Sequence, residues 1–308
     1  MRLLLVGEES AGMQLLKELA PTAHEIVGVM AAPERAAAKA PSVWRLAETM
    51  GLRRWPAALV RRADFAATLA AERIDVLLNV HSLYVIHDAV LAAARLGAFN
   101  LHPGPLPRYA GLNAPSWALY TGETSHAVTL HKMVAEVDCG STVYEARFAI
   151  EESDTALTLY AKCRKLGIPL ILRLLEQLDA DPASLPLARQ DPAGLRCYGR
   201  EVPENGRLHW ARPAREIVNF VRACDYYPFA SPWGLPTARL DSRDIGILKA
   251  SRTGRATDAP PGTVTESEAH SISIAGEDES VRVGLVTIGG KVMPSPQLLK
   301  PGQRLHDG

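Results

Sequence analysis

Two short stretches of this 308-residue chain carry side chains suited to moving protons and polarising a carbonyl group. The first is Asn100-Leu101-His102-Pro103-Gly104-Pro105-Leu106-Pro107-Arg108-Tyr109-Ala110-Gly111, and the second is Asp138-Cys139-Gly140. Pro103, Pro105 and Pro107 rule out helix and central strand, because each removes a backbone donor and fixes φ. The stretch is expected to be a rigid loop entered from a short apolar strand at 98–101. Asn100 and His102 are two positions apart, which puts both side chains on one face of an extended backbone. An imidazole accepts a proton near neutral pH. A side-chain amide donates to a developing oxyanion without carrying charge. A carboxylate beside the imidazole holds its tautomer and stabilises its charged form. Asn100, His102 and Asp138 supply the three groups that acyl transfer to an amine requires. Taken singly they read as a turn cap, a satisfied loop histidine and a turn aspartate. Only the joint pattern favours chemistry.

The surrounding elements must hold these groups. Residues 3–6 form an aliphatic run ending at Gly7, and 25–30, 74–80 and 98–101 read as further strands. Helical spacing occurs at 13–19, 42–50, 64–71 and 89–96. Strands apolar throughout and separated by helices predict a doubly wound α/β unit with a parallel sheet covered on both faces. Open α/β sheets bind ligands at the carboxyl ends of their strands, where the proline-rich loop begins. Residues 127–133 and 142–150 alternate as half-exposed strands do, so His131 is expected at the surface or behind the site. Residues 154–178 predict a long helix that Gly167 and Pro169 should kink. After a helix at 212–223, short strands at 237–240, 245–250, 262–265, 271–274, 281–288 and 291–293 suggest a small barrel or sandwich. The expected organisation is a catalytic domain at 1–185, a linker rich in Asp, Pro and Ala at 186–205, and an accessory domain at 206–308.

Composition narrows the function classes. Equal numbers of acidic and basic residues, 34 each, give no global attraction to nucleic acid or an anionic membrane. Cys139, Cys163, Cys197 and Cys224 are scattered without a C-x-x-C pair, so neither a metal site nor a disulfide framework is expected. No apolar run approaches the roughly 18 residues that span a membrane. The short aliphatic start is no signal-peptide core, and a cytoplasmic location is expected. Gly7 to Gly12 reads G-x-x-x-x-G, which is not the dinucleotide fingerprint G-x-G-x-x-G, so a nicotinamide oxidoreductase is disfavoured. His81 has no favoured role.

The pattern N-x-H-P-x-x-L-P-x-Y-x-G followed by D-x-G resembles the folate-dependent formyltransferase family over nearly the whole chain. Gly122-Glu123 ahead of Val128-Thr129-Leu130-His131-Lys132-Met133 is similar to another stretch of that family. The segment from Trp210 through Tyr227-Pro228 to Pro261-Gly262-Thr263-Val264 and on to 298–305 resembles the accessory barrel of its methionyl-tRNA and aminosugar branches. The resemblance implies a doubly wound parallel-sheet formyltransferase domain followed by a small OB-like β-barrel. It implies Asn100, His102 and Asp138 as the catalytic trio and 10-formyltetrahydrofolate as co-substrate, with no metal. Backbone groups of Leu83, Tyr84 and Val85, and of Ala135, Glu136 and Val137, match the family's folate-binding positions.

The acceptor is a primary amine by the same resemblance. Gly111-Leu112-Asn113-Ala114-Pro115-Ser116-Trp117 is closer to formylation domains of nonribosomal peptide assembly than to the methionyl-tRNA branch. Gly111, Asn113 and Trp117 are therefore candidates for the acceptor side. The methionyl-tRNA branch keeps a basic loop where residues 31–39 are short and alanine-rich, and from Glu201 onward thirteen basic residues balance thirteen acidic ones. A tRNA-gripping module should be basic, so tRNA is disfavoured as a partner. A carrier-protein-tethered aminoacyl group or small biosynthetic amine leads, an aminosugar nucleotide follows, and methionyl-tRNA is third. Two rivals keep the fold: a 10-formyltetrahydrofolate hydrolase, with water as acceptor, and a non-enzymatic folate-binding protein.

Overall fold

The computed structural model describes residues 1–33 and 41–308. Along the first part of the chain run β1 (Arg2–Gly7), α1 (Glu9–Leu19), β2 (Glu25–Ala31), α2 (Val43–Thr49), β3 (Arg54–Pro56), α3 (Phe65–Ala71), β4 (Val76–Val80), α4 (Asp88–Ala92) and β5 (Gly97–His102). Then come the two-residue β6 (Ala110–Gly111), α5 (Ala114–Tyr120), β7 (Ser125–Lys132), β8 (Thr142–Ala149) and α6 (Ala156–Ala180). The rest comprises β9 (Cys197–Tyr198), α7 (Ala214–Cys224), β10 (Thr237–Leu240), β11 (Arg243–Ala256), β12 (Val264–Ser267), β13 (Ile272–Ala275), β14 (Glu279–Ile288), β15 (Lys291–Pro294) and β16 (His306–Asp307). Two compact units result. One contains Met1–Gly111, Ala127–Phe148 and Lys162–Cys197, and the other Leu112–His126, Ala149–Ala161 and Tyr198–Gly308.

The first unit is built on a sheet in the order β3-β2-β1-β4-β5-β7-β8. Its first five strands are parallel, and β7 turns antiparallel to β5. The aliphatic run in β1 explains why both faces are covered. Leu3 and Leu5 enter one core with residues of α1, α2 and α6, while Leu4 and Val6 enter the other with Phe65, Leu69 and Val90 of α3 and α4. Period-two geometry thus feeds one strand's side chains into two helical layers, the doubly wound arrangement.

Two local expectations change. The strand expected at 127–133 is not half-exposed: from His126 to His131 every residue of β7 is buried, because the strand lies inside the sheet with β5 and β8 as neighbours. The helix expected at 89–96 closes after five residues, opened by the His87 imidazole accepting from the Ala89 N–H at 3.1 Å. α6 continues through Gly167 and Pro169. Gly167 serves packing there, since a Cβ would lie 2.8–2.9 Å from side-chain atoms of Leu101 and Val128. Glycine lets the helix settle directly onto β5 and β7.

The second unit carries an antiparallel sheet, β12-β13-β14-β11-β10-β16 with β15 on β14, curled as a half-barrel. α7 buries Ile217, Val218, Phe220 and Val221. In α5 the Trp117 ring stacks on Tyr198 at 4.5 Å and meets the edge of Trp233 at 4.8 Å. Among the described residues no helix is long and apolar enough to cross a membrane.

Gly167→Val should overpack the seam between α6 and strands β5 and β7. A loss of about 1–3 kcal/mol in unfolding free energy is expected from denaturant titration. Unchanged stability would show that the contact tolerates added volume.

Candidate active site

The register of three strands builds the site. Asn79 in β4 is the Cα partner of Asn100 in β5, and Asn100 is the partner of His131 in β7. Three polar side chains thereby form a row across three neighbouring strands. Asn79 Nδ2 donates to Asn100 Oδ1 at 2.9 Å. Asn100 Nδ2 lies 3.1 Å from His131 Nε2 and 3.3 Å from Asp138 Oδ1. Two residues on, His102 Nδ1 faces Asp138 Oδ2 at 3.3 Å. The Gly111 N–H donates to that same oxygen at 2.8 Å, and His131 Nε2 lies 3.2 Å from Oδ1. The proline-rich loop and the D-x-G turn therefore converge on the end of β5. Asn100, His102 and Asp138 are brought together.

The loops are tied down individually. Thr129 Oγ1 donates to the Gly104 carbonyl at 2.8 Å. Asp138 adopts a left-handed backbone, φ 55°, which turns its carboxylate back toward the sheet. A Cβ on Gly140 would sit 1.8 Å from the Lys132 carbonyl oxygen, so only glycine allows the turn to close on the end of β7. Gln190 Nε2 donates to the carbonyls of Asp138 and Gly140 at 2.7 and 2.6 Å. Composition had marked Gln190's surroundings as linker, and nothing in its neighbours' sequence signals this contact.

The hydrogen-bond partners constrain the protons. His102 Nε2 lies 2.6 Å from the Tyr109 carbonyl oxygen, and His131 Nδ1 lies 3.1 Å from that of Lys132. A carbonyl only accepts, so these nitrogens carry protons. The opposite nitrogen of each ring faces Asp138, and a proton arriving there completes an imidazolium–carboxylate contact. His102, Asp138 and His131 are all buried, at 3, 8 and 2% exposure. Burial pushes the His102 imidazole below its ordinary value, against the pull of the Asp138 carboxylate. For Asp138, burial alone would raise the carboxyl, but His102, His131 and the Gly111 N–H hold it well below the usual carboxylate range. His81, on the loop after β4, is pushed down to about 4 by burial.

The other expected positions fall as follows. Leu83 and Val85 are exposed, at 76 and 60%, and Val137 is 47% exposed. Ala135 and Glu136 are exposed beside it, while Tyr84 is half-buried with the Arg61 guanidinium over its ring. Gly111 joins the Asp138 cluster through its backbone. Asn113 and Trp117 belong to the second unit, Asn113 left-handed at φ 57° ahead of α5 and Trp117 buried among rings. Positions 34–39 of the expected tRNA-loop counterpart lie outside the described residues. Of the two places expected for His131, the surface is excluded: it lies buried behind the site against Asn100 and Asp138, because β7 pairs with β5 rather than lining the sheet's margin. Among the described residues no group of three or more His, Cys, Asp or Glu side chains is arranged to hold a metal ion.

Residues 1–175 match the formyl transferase family model, and residues 202–302 match the model of the formyl transferase C-terminal domain. The chain belongs to the formyl transferase family. Solved structures share the fold of this formyltransferase at low identity. WlaRD, a sugar 3N-formyl transferase crystallised with dTDP and 5-N-formyl-THF, is 16% identical with a TM-score of 0.72, covering 94% of this chain and 98% of its own. The N-formyltransferase of Helicobacter canadensis, in complex with folinic acid and dTDP-3-aminofucose, is 15% identical with a TM-score of 0.69, covering 92 and 98%. HypX of Aquifex aeolicus, in complex with tetrahydrofolic acid, is 19% identical with a TM-score of 0.67; the match spans 97% of this chain but 47% of HypX.

Two outcomes follow for Asp138 and its turn. Its native carboxyl lies below the unfolded value, so the stability it adds is full above about pH 3.9 and drains away as pH falls below that. The unfolding free energies of the formyltransferase and its Asp138→Asn variant should therefore keep their separation down to about pH 4 and converge as the pH falls below it. A gap that widens on acidification would contradict the depressed carboxyl. Gly140→Ala should cut turnover strongly by moving Asp138, with a circular-dichroism spectrum still native; full activity would show the turn can relax.

Proposed function

We propose that the formyltransferase moves the formyl group of 10-formyltetrahydrofolate onto a primary amine, using Asn100, His102 and Asp138. The observation that carries this is the convergence of a partly exposed amide, a buried imidazole and a buried carboxylate at one strand end. The neutral amine attacks the formyl carbon, and the carbonyl oxygen takes up negative charge. Asn100 Nδ2 donates to that oxygen. The proton lost by the amine passes to the His102–Asp138 pair, filling the Nδ1 position that faces the carboxylate. As the bond from carbon to N10 breaks, the pair returns a proton to that nitrogen, giving a formamide and tetrahydrofolate. The co-substrate's flat ring system suits the loops at 83–85 and 135–137, which offer backbone groups and the exposed apolar side chains of Leu83, Val85 and Val137.

For the acceptor we favour a carrier-protein-tethered aminoacyl group or a small biosynthetic amine, supported by the likeness of 111–117 to formylation domains of peptide assembly. Asn113 and Trp117 would then contribute to acceptor recognition. A second reading, an aminosugar nucleotide, is supported by the shared fold with WlaRD and the Helicobacter canadensis enzyme.

Formyl transfer from 10-formyltetrahydrofolate, measured against an aminoacyl carrier protein, dTDP-3-aminofucose, methionyl-tRNA and buffer alone, separates these acceptors. The carrier-bound amine should react fastest, and methionyl-tRNA slowly at any salt concentration. Preference for the aminosugar would install the second reading, and equal rates in buffer alone would indicate a hydrolase. His102→Ala and Asp138→Ala should each lower kcat by orders of magnitude. Asn100→Ala should lower it about 10²–10³-fold. Near-normal turnover in any of the three removes that residue from the mechanism.

A further inference from the structure

Asn79 stands out among the buried polar groups of the first unit. It sits in β4, the strand buried at every position, and is 6% exposed. Its Nδ2 donates to Asn100 Oδ1 at 2.9 Å, while its own Oδ1 is buried with no hydrogen-bond partner among the described residues. An orphaned buried carbonyl is a net cost to the fold, and an aliphatic residue of similar size would avoid it. Its neighbours Leu77, Leu78 and Val80 show that the strand accepts such residues.

The geometry around Asn100 explains what the cost supports. A side-chain amide is nearly symmetrical in shape, so its oxygen and nitrogen exchange places by a half-turn unless neighbours distinguish them. On one side of Asn100 stands Asn79 Nδ2, which only donates. On the other stand the Asp138 carboxylate, which only accepts, and the His131 nitrogen. A donor on one flank and an acceptor on the other admit one orientation, with Oδ1 toward β4 and Nδ2 toward Asp138. One Nδ2 hydrogen is directed at Asp138 and His131, which leaves the second for a ligand at the partly exposed end of the side chain.

We infer that Asn79 is a positioning residue that locks the Asn100 amide with its nitrogen, rather than its oxygen, toward the reacting carbonyl. This rests on the reading of Asn100 as the oxyanion donor. Asn79 touches no reacting atom and acts only through Asn100. An Asn79 lacking its donor would let the amide populate the reversed state, in which Oδ1 meets both the Asp138 carboxylate and the substrate oxygen. The consequence belongs to the chemical step and not to co-substrate binding.

The test is steady-state and single-turnover kinetics on full-length variants with 10-formyltetrahydrofolate and the best amine of the acceptor panel, paired with thermal unfolding. Asn79→Leu should lower kcat about 5–10-fold, the worth of one lost hydrogen bond. The KM for the formyl donor should stay the same, and the unfolding midpoint should be unchanged or raised because the orphaned carbonyl is gone. Asn79→Asp gives a signature that a packing role would not produce. Protonated, the new carboxyl still donates to Asn100; ionised, it accepts and turns the amide around. Its pH–rate profile should therefore gain a descending alkaline limb that the parent and Asn79→Leu lack. In an Asn100→Ala background, Asn79→Leu should have no further effect. The inference falls if Asn79→Leu keeps kcat within about twofold, if the loss lies in KM, or if it tracks a lowered midpoint. It also falls if the Asn79→Asp profile matches that of Asn79→Leu. Asn100→Ala measured alone distinguishes the failures: if that variant is active, the oxyanion assignment itself fails, whatever Asn79 does.

Discussion

A buried carboxylate must be met by donors or it will not stay ionised, and the arrangement around Asp138 follows from that constraint. Its oxygens accept from the Asn100 amide and the Gly111 N–H, and face the His131 and His102 nitrogens, where an imidazolium completes the contact. These partners come from β5, β6 and β7, so the carboxylate joins two strands and the loop between them. Its backbone is held in turn by Gln190, from a segment far along the chain. The left-handed φ of Asp138 and the missing side chain of Gly140 are conditions for delivering the charge to that spot.

The sheet and the loops divide the work. Asn79, Asn100 and His131 stand on hydrogen-bonded strands, where neighbouring register sets their spacing to within the limits of backbone geometry. Asp138 stands on a loop and Gly111 in the two-residue β6 outside the main sheet, which explains why so many side chain–backbone bonds pin these segments. Each imidazole is anchored through one nitrogen to a carbonyl and presents the other to the carboxylate. A proton can enter or leave the cluster without rotation of either ring. Such preorganisation is what acyl transfer demands, since charge appears and disappears at fixed points along the reaction.

Much of this was legible from residue order. The parallel strands announced themselves as aliphatic runs, and the proline-rich segment announced a rigid loop at a strand end. β7 was legible as a strand but not as a buried one, because threonine, histidine and lysine among aliphatic residues imitate the alternation of a half-exposed strand. Its burial depends on having β5 and β8 as neighbours, and periodicity within one strand carries no information about neighbours. The same limit hid β3, a three-residue strand held by pairing with β2 rather than by its own pattern.

By itself the sequence determined the chemical types present, the rigidity of the loop that follows β5, and the two-residue spacing that aims Asn100 and His102 the same way. Those are properties of covalent geometry and of local preference, and they need no distant partner. Tertiary structure alone decided that Asn79 and His131 flank Asn100, that Gln190 holds the Asp138 turn, and that a single carboxylate faces two imidazoles. Each of those depends on strands and loops far apart in sequence meeting in one register, as the separations of 21, 31 and 52 residues in these hydrogen bonds show. Such register is set by how two hydrophobic cores close over both faces of the sheet, which no local stretch of sequence encodes.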